Sequence, residues 1–140
     1  MTIIQSGLRL PINPALETLL IHEIQESSIS TLSDNAIVFN FHDPFYSPES
    51  GGFHPIEIRL FQLDGVWYYD YITDFAYMGT VYPEFEKEFD VCWPQGYLYH
   101  VALGDVDERA GAEFFALWQR NFIEYYHMGC YTVSIQWQRD

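Results

Sequence analysis

Residues 42–55, HDPFYSPESGGFHP, bring His42, Asp43, Tyr46, Ser47, Glu49 and His54 into one polar stretch. Imidazoles and carboxylates this close together serve two kinds of chemistry, ligation of a divalent metal and proton transfer between an acid and a base. His42, Asp43 and His54 are the candidates for either, with Asp70 or Asp74 as a further carboxylate. Their spacing matches no metal-binding signature. A structural reading competes: Asp43 caps a turn at Pro44, His54 precedes a proline at the start of a strand, and Tyr46 packs the loop down. Gly51-Gly52 opens backbone conformations closed to other residues, and ordered loops of this length are often functional.

Elsewhere the chemical signals are sparser. The chain has no GxGxxG, P-loop, HExxH, GxSxG or CxxC pair, so nucleotide, zinc-finger and serine-hydrolase readings lack their usual support. His22, His100 and His127 stand in unrelated segments and carry no assignment. The segment EFEKEFDV at 84–91 alternates Glu84, Glu86, Glu88 and Asp90 with Phe85, Lys87, Phe89 and Val91. As a strand it presents carboxylates on one face at intervals of about 6.8 Å. Such a row can imitate a phosphate backbone, although an ordinary solvated strand face explains it as well. A helical turn opened by Pro83 is the alternative for this segment, and the strand is favoured.

These groups need elements to position them. Asn13-Pro14 has the form of an N-cap followed by a first-turn proline, and Leu16, Leu19, Leu20 and Ile24 share one face, so a helix is expected over 14–26. A serine-rich turn (Ser27, Ser28, Ser30, Ser33) leads to a first strand at Ile37, Phe39 and Phe41. A second strand over 56–63 meets a third over 66–73 through a tight turn at Asp64-Gly65. Both faces of the third strand are rich in aromatics, which places it centrally with cover on each side. Asp105 and Glu108 form a capping box ahead of a second helix, whose core stripe reads Phe114, Leu117, Trp118, Phe122 and Tyr125 and which Gly129 ends. Tyr131, Val133, Ile135 and Trp137 then alternate with polar residues as a half-exposed strand. The expected fold is α+β: an antiparallel or mixed sheet of about five strands, with an N-terminal helix and a long C-terminal helix packed on it.

Length and composition set the frame. A chain of 140 residues and 16.5 kDa is one domain, 1–140, and buries about two-thirds of its surface on folding. Twenty acidic residues against six basic ones give a formal charge of −14, which disfavours direct binding to nucleic acid and serves solubility. No apolar run has the length of a signal peptide's core or a membrane span, so neither export nor insertion is expected, and the location is cytoplasmic. Cys92 and Cys130 read as reduced, buried thiols.

Several segments in order, FHDPFYS at 41–47, GGFHPIE at 51–57, YITDFAY at 71–77, Tyr82-Pro83-Glu84 and NFIEYYHMGCYTVSI at 121–135, resemble the small bacterial proteins catalogued as domain of unknown function 2787. The resemblance spans most of the chain from the first strand onward and implies a stand-alone bacterial domain of this length. It supplies no activity. His42 departs from the family pattern, which carries Arg there, leaving Asp43, Tyr46, His54, Glu57 and Asp74 as the family-like polar set.

The expected function is that of a non-enzymatic interaction module for a protein partner, binding through this loop and the adjacent end of the third strand, with no cofactor and the oligomeric state open. A small metal-dependent hydrolase using Asp43, His54 and Asp74 is the rival, and convergence of those three side chains would favour it. A third reading, an acidic DNA mimic inhibiting a DNA-binding protein, needs carboxylates on one continuous face.

Overall fold

A computed structural model describes residues 1–27, 34–78 and 84–139, with only the backbone described at Glu84. Tyr82-Pro83 and Ser28, Ser30 and Ser33 lie outside the described residues. The elements run β1 (Ile3–Ile4), α1 (Pro14–Glu26), β2 (Ala36–His42), β3 (Ile56–Leu63), β4 (Val66–Met78), β5 (Glu84–Cys92), β6 (Tyr97–His100), β7 (Gly104–Asp105), α2 (Glu108–His127) and β8 (Thr132–Gln138). The sheet order is β7-β6-β5-β4-β3-β2-β8, with every neighbouring pair antiparallel. β1 pairs in parallel with the start of β4, Ile3 opposite Trp67. The long β4 is thus flanked on one edge by β3 and on the other by β1 and then β5.

The α+β reading holds, with eight strands in place of about five. β1, β6 and β7 are the additions, and strands of two to four residues carry too little periodicity to be read from sequence. Residues 84–92 form a strand, as favoured, and β4 continues to Met78 rather than ending at Thr73.

Local chemistry explains the boundaries. Asn13 caps α1 through its Oδ1, which accepts from the Ala15 amide at 2.9 Å, and Pro14 follows it. Asp64 and Gly65 take φ of 52° and 80°, the left-handed pair that a two-residue hairpin turn requires. The α2 cap is Asp107, whose Oδ1 accepts from the Ala110 amide, while Asp105 sits in β7 opposite Tyr99. The core stripe of α2 is also displaced: Phe115, Gln119 and Phe122 are buried, and Leu117 is 48% exposed.

One core joins both helices to a single face of the sheet. Leu16, Leu19 and Leu20 of α1 and Phe115 and Phe122 of α2 pack with the inward residues Ile37, Phe39, Phe41, Ile58, Ile72, Phe89 and Val91. The other face, carrying Glu57, Tyr71, Thr73, Asp90 and Tyr97, bounds an open depression lined by strand and turn residues. The central strand therefore has helical cover on one side only. Its second aromatic face is matched by partners within the sheet, such as Phe61 stacked on Tyr68 at 5.3 Å.

Candidate functional site

The loop after β2 is ordered by its own polar groups. Asp43 accepts from the Phe45 amide at 2.9 Å through Oδ1 and from the Phe53 amide at 3.1 Å through Oδ2. Ser47 and Gly51 form a two-way backbone bridge. Gly52 has φ of +126°, and a Cβ there would stand 2.7 Å from the Asp43 carboxylate, so only glycine lets that carboxylate clamp the loop. The chain then returns to the sheet, where the Phe75 amide donates to the Pro55 carbonyl at 2.9 Å. That contact sets His54 against β4 and β5.

His54 Nδ1 lies 3.1 Å from Asp74 Oδ1 and 2.6 Å from Glu88 Oε2. Asp74 is the β4 residue opposite Ile56 and points into the helix-covered face, where its Oδ2 accepts from Trp118 Nε1 at 2.9 Å. Glu88 arrives by a different device. β4 and β5 slip register between Asp74 and Phe75, so Phe89 faces Asp74, Lys87 faces Phe75, and Glu88 is the extra residue. The bulge frees its carboxylate to reach His54.

The hydrogen bond to Asp74 raises the His54 pKa above 6.5; partial burial opposes the shift, and the charges of Asp74 and Glu88 add to it. One imidazolium against two carboxylates leaves the cluster with a net negative charge. Beside it opens a cavity of about 350 Å³, bounded by His54 and Asp74 and by the rings of Phe53, Trp118, Phe122, Tyr125 and Tyr131. Phe53 and Tyr125 approach to 4.7 Å between ring centres, and Trp118 stacks on Phe122 at 5.1 Å. Tyr46 packs against the His54 ring at 5.5 Å, and its hydroxyl accepts from the Tyr77 amide at 2.9 Å.

The structure therefore divides the sequence candidates. His54 and Asp74 meet, and Tyr46 supports His54. Asp43 does not join them, because both its oxygens hold loop amides, as its turn-capping reading has it. Glu57 is on the opposite face, accepting from the Tyr71 hydroxyl at 2.5 Å. His42 is exposed at the end of β2, opposite Thr132. The metal-hydrolase set thus has two of its three members in contact. Glu88 and Trp118 complete the cluster; the sequence offered Glu88 only as part of an acidic row and Trp118 only as a core aromatic.

That row is broken. Asp90 is buried on the open face, accepting from Thr73 Oγ1 and from the Tyr97 hydroxyl, each at 2.6 Å, with Lys87 Nζ at 3.5 Å. Arg59 pairs with Asp70 at 2.6 Å on the same face. Internal donors satisfy these carboxylates, and with Glu88 turned to the other side they do not form a continuous acidic face.

A family described as "Protein of unknown function (DUF2787)" matches residues 14–136. Two solved structures, both from Vibrio cholerae, are similar over nearly the whole chain. The hypothetical protein VC0508 of the VSP-II pathogenicity island is 35% identical, with a TM-score of 0.84, covering 96% of this chain and 99% of its own. The conserved hypothetical protein VC1805 of pathogenicity island VPI-2 is 34% identical, with a TM-score of 0.81, covering 95% of this chain and 100% of its own. VC1805 is described as sharing structural homology with the human P32 protein. No curated protein matches the chain.

Proposed function

The chain belongs to the DUF2787 family of proteins of unknown function, which passes on no activity, and we propose on the site's own chemistry that it is a non-enzymatic binding module. Its site is the aromatic cavity beside His54, and its ligand is the cationic end of a lysine or arginine side chain on a partner protein. One observation carries this reading: the net-negative cluster of His54, Asp74 and Glu88 meets, through His54 and Asp74, a cavity of about 350 Å³ walled by aromatic rings. A cation over such rings gains about 0.5–2 kcal/mol, and the −14 charge of the chain draws basic partners toward it. Among the described residues no serine, threonine or cysteine lines the cavity, and His54 Nδ1 is engaged by both carboxylates. These residues therefore supply no activated nucleophile of the kind acyl transfer uses. The two free cysteines, Cys92 and Cys130, support a reducing, cytoplasmic setting. Among the described residues no helix is long and apolar enough to cross a membrane.

NMR titration with n-butylguanidinium, n-butylammonium and n-butanol tests the reading. The cations are expected to shift the Trp118 indole and the backbone amides of Phe53 and His54, with an effect that salt weakens. Equal shifts with butanol would reduce the cavity to a greasy slot, and no shift with any of the three would end the proposal.

A further inference from the structure

We propose that His54, Asp74 and Glu88 form a binding site for a divalent transition-metal ion. The three donor atoms, one imidazole nitrogen and two carboxylate oxygens, all lie within 4.8 Å of one another. They come from three separate segments: the loop's return, β4 and the β5 bulge. Nδ1 is 3.1 Å from Asp74 Oδ1 and 2.6 Å from Glu88 Oε2. Ligands at about 2.1 Å from zinc stand roughly 3.0–3.4 Å apart at angles between a right angle and the tetrahedral value. The His54–Asp74 pair already has that spacing, the His54–Glu88 pair must open by about 0.4–0.8 Å to reach it, and the partly exposed Glu88 side chain (32%) has room to move.

The surroundings fix the ligands as an outer shell does. Trp118 donates to the Asp74 oxygen that faces away from His54, which leaves Oδ1 turned toward the imidazole. The Tyr46 ring braces His54 from the loop side, and the Phe75-to-Pro55 backbone bond anchors the residue that follows it. None of these contacts belongs to an ordinary solvated acidic patch. Because His54 and Asp74 also border the cavity, a remaining coordination position opens into it, where water or an oxygen donor from a ligand completes the shell. One imidazole with two carboxylates favours zinc or manganese over magnesium or calcium, which prefer oxygen alone. Two carboxylates neutralise the ion's charge.

This inference does not rest on the cationic-partner reading. It makes the metal a competitor of that partner, since the bound ion cancels the charge that attracts it.

The test uses the full chain stripped with EDTA and titrated with zinc, manganese or magnesium chloride alone. Zinc at a hundredfold excess over its Kd is expected to raise the melting temperature by about 5–10 °C, with one ion per chain by calorimetry. Manganese should broaden the His54 ring resonances first and the Trp118 indole resonance soon after, and magnesium should do neither. His54→Gln and Glu88→Gln should each abolish the zinc shift, and Glu88→Gln, altering a partly exposed side chain, guards against a variant that merely fails to fold. A His22→Gln, His127→Gln variant should retain it. Zinc stabilisation that survives Glu88→Gln, an equal response to magnesium, or no response to zinc at about 1 mM, a concentration that would detect even weak sites, would each overturn the site.

Discussion

Glu88 and Asp90 stand two residues apart on one strand, yet their carboxylates serve opposite faces of the sheet: Glu88 reaches His54 on the helix side, and Asp90 reaches Thr73 and Tyr97 on the open side. The register slip opposite Asp74 makes this possible. The two differ in burial too, since Asp90 is 4% exposed and the Glu88 side chain 32%. Asp90→Asn turns an amide toward one of two hydroxyl donors and is expected to cost about 2 kcal/mol in urea denaturation. Glu88→Gln should cost under about 1 kcal/mol. Equal losses would mean that the bulge does not separate the two residues in solution.

Gly7 gives a second stability test. Its φ is +79°, and a Cβ there would meet the Trp93 carbonyl oxygen at 2.2 Å. That oxygen accepts from the Leu8 amide at 3.2 Å and lies beside a fully buried indole. Gly96 has a similar φ of +69°, but among the described residues nothing comes within 4 Å of where its methyl would stand. Gly96→Ala carries the backbone strain alone, about 1 kcal/mol; Gly7→Ala adds the clash and should lose at least about 2 kcal/mol more. Similar melting temperatures for the two variants would show that the Gly7 segment does not dock on Trp93.

What the sequence disclosed follows the range of the physics involved. Asn13-Pro14 and Asp64-Gly65 act on their immediate neighbours, and both mark the boundaries that the structure has. His54 and Asp74 were legible as candidates because a polar loop and the end of a strand concentrate unusual residues. Their partners were not. Glu88 reaches His54 only through a change of strand parity, which depends on how β4 and β5 pair rather than on either segment alone. Trp118 resembles any core aromatic until Asp74, 44 residues away, presents its carboxylate to the indole. Asp43 had two readings in the sequence, as turn cap and as site carboxylate, because a carboxylate clamping its own loop has the composition of an active-site acid; its contacts are those of the cap.

The two cysteines should react differently. Burial pushes the Cys92 thiol pKa up, and the carboxylates of Asp70 and Asp90 add to the effect. Cys130 is half-buried rather than enclosed. Alkylation by iodoacetamide at mildly alkaline pH should therefore modify Cys130 at least about tenfold faster than Cys92, with Cys92 labelled fully only in denaturant. Mass spectrometry of the peptides decides it, and comparable rates would contradict the burial of β5 at its Cys92 end.

Gln119 is the least expected member of the core, and it ties the two ends of the chain together. It is 1% exposed; its Oε1 accepts from the Asn13 amide at 2.7 Å, and its Nε2 donates to the Pro11 carbonyl at 2.9 Å. One side chain of α2 thus satisfies two backbone groups just ahead of α1, and no apolar residue can replace it. Gln119→Met keeps the volume but leaves both groups without partners, for a loss of about 2–3 kcal/mol. Leu117→Ala, on the exposed side of the same helix, should stay within about 0.5 kcal/mol. The helical stripe read from sequence puts Leu117 in the core and leaves Gln119 out of it, which predicts the reverse order, so chemical denaturation of these two variants separates the readings directly. A costly Leu117→Ala with a neutral Gln119→Met would rotate α2 away from the position that presents Trp118 to Asp74, and the site would lose its outer support with it.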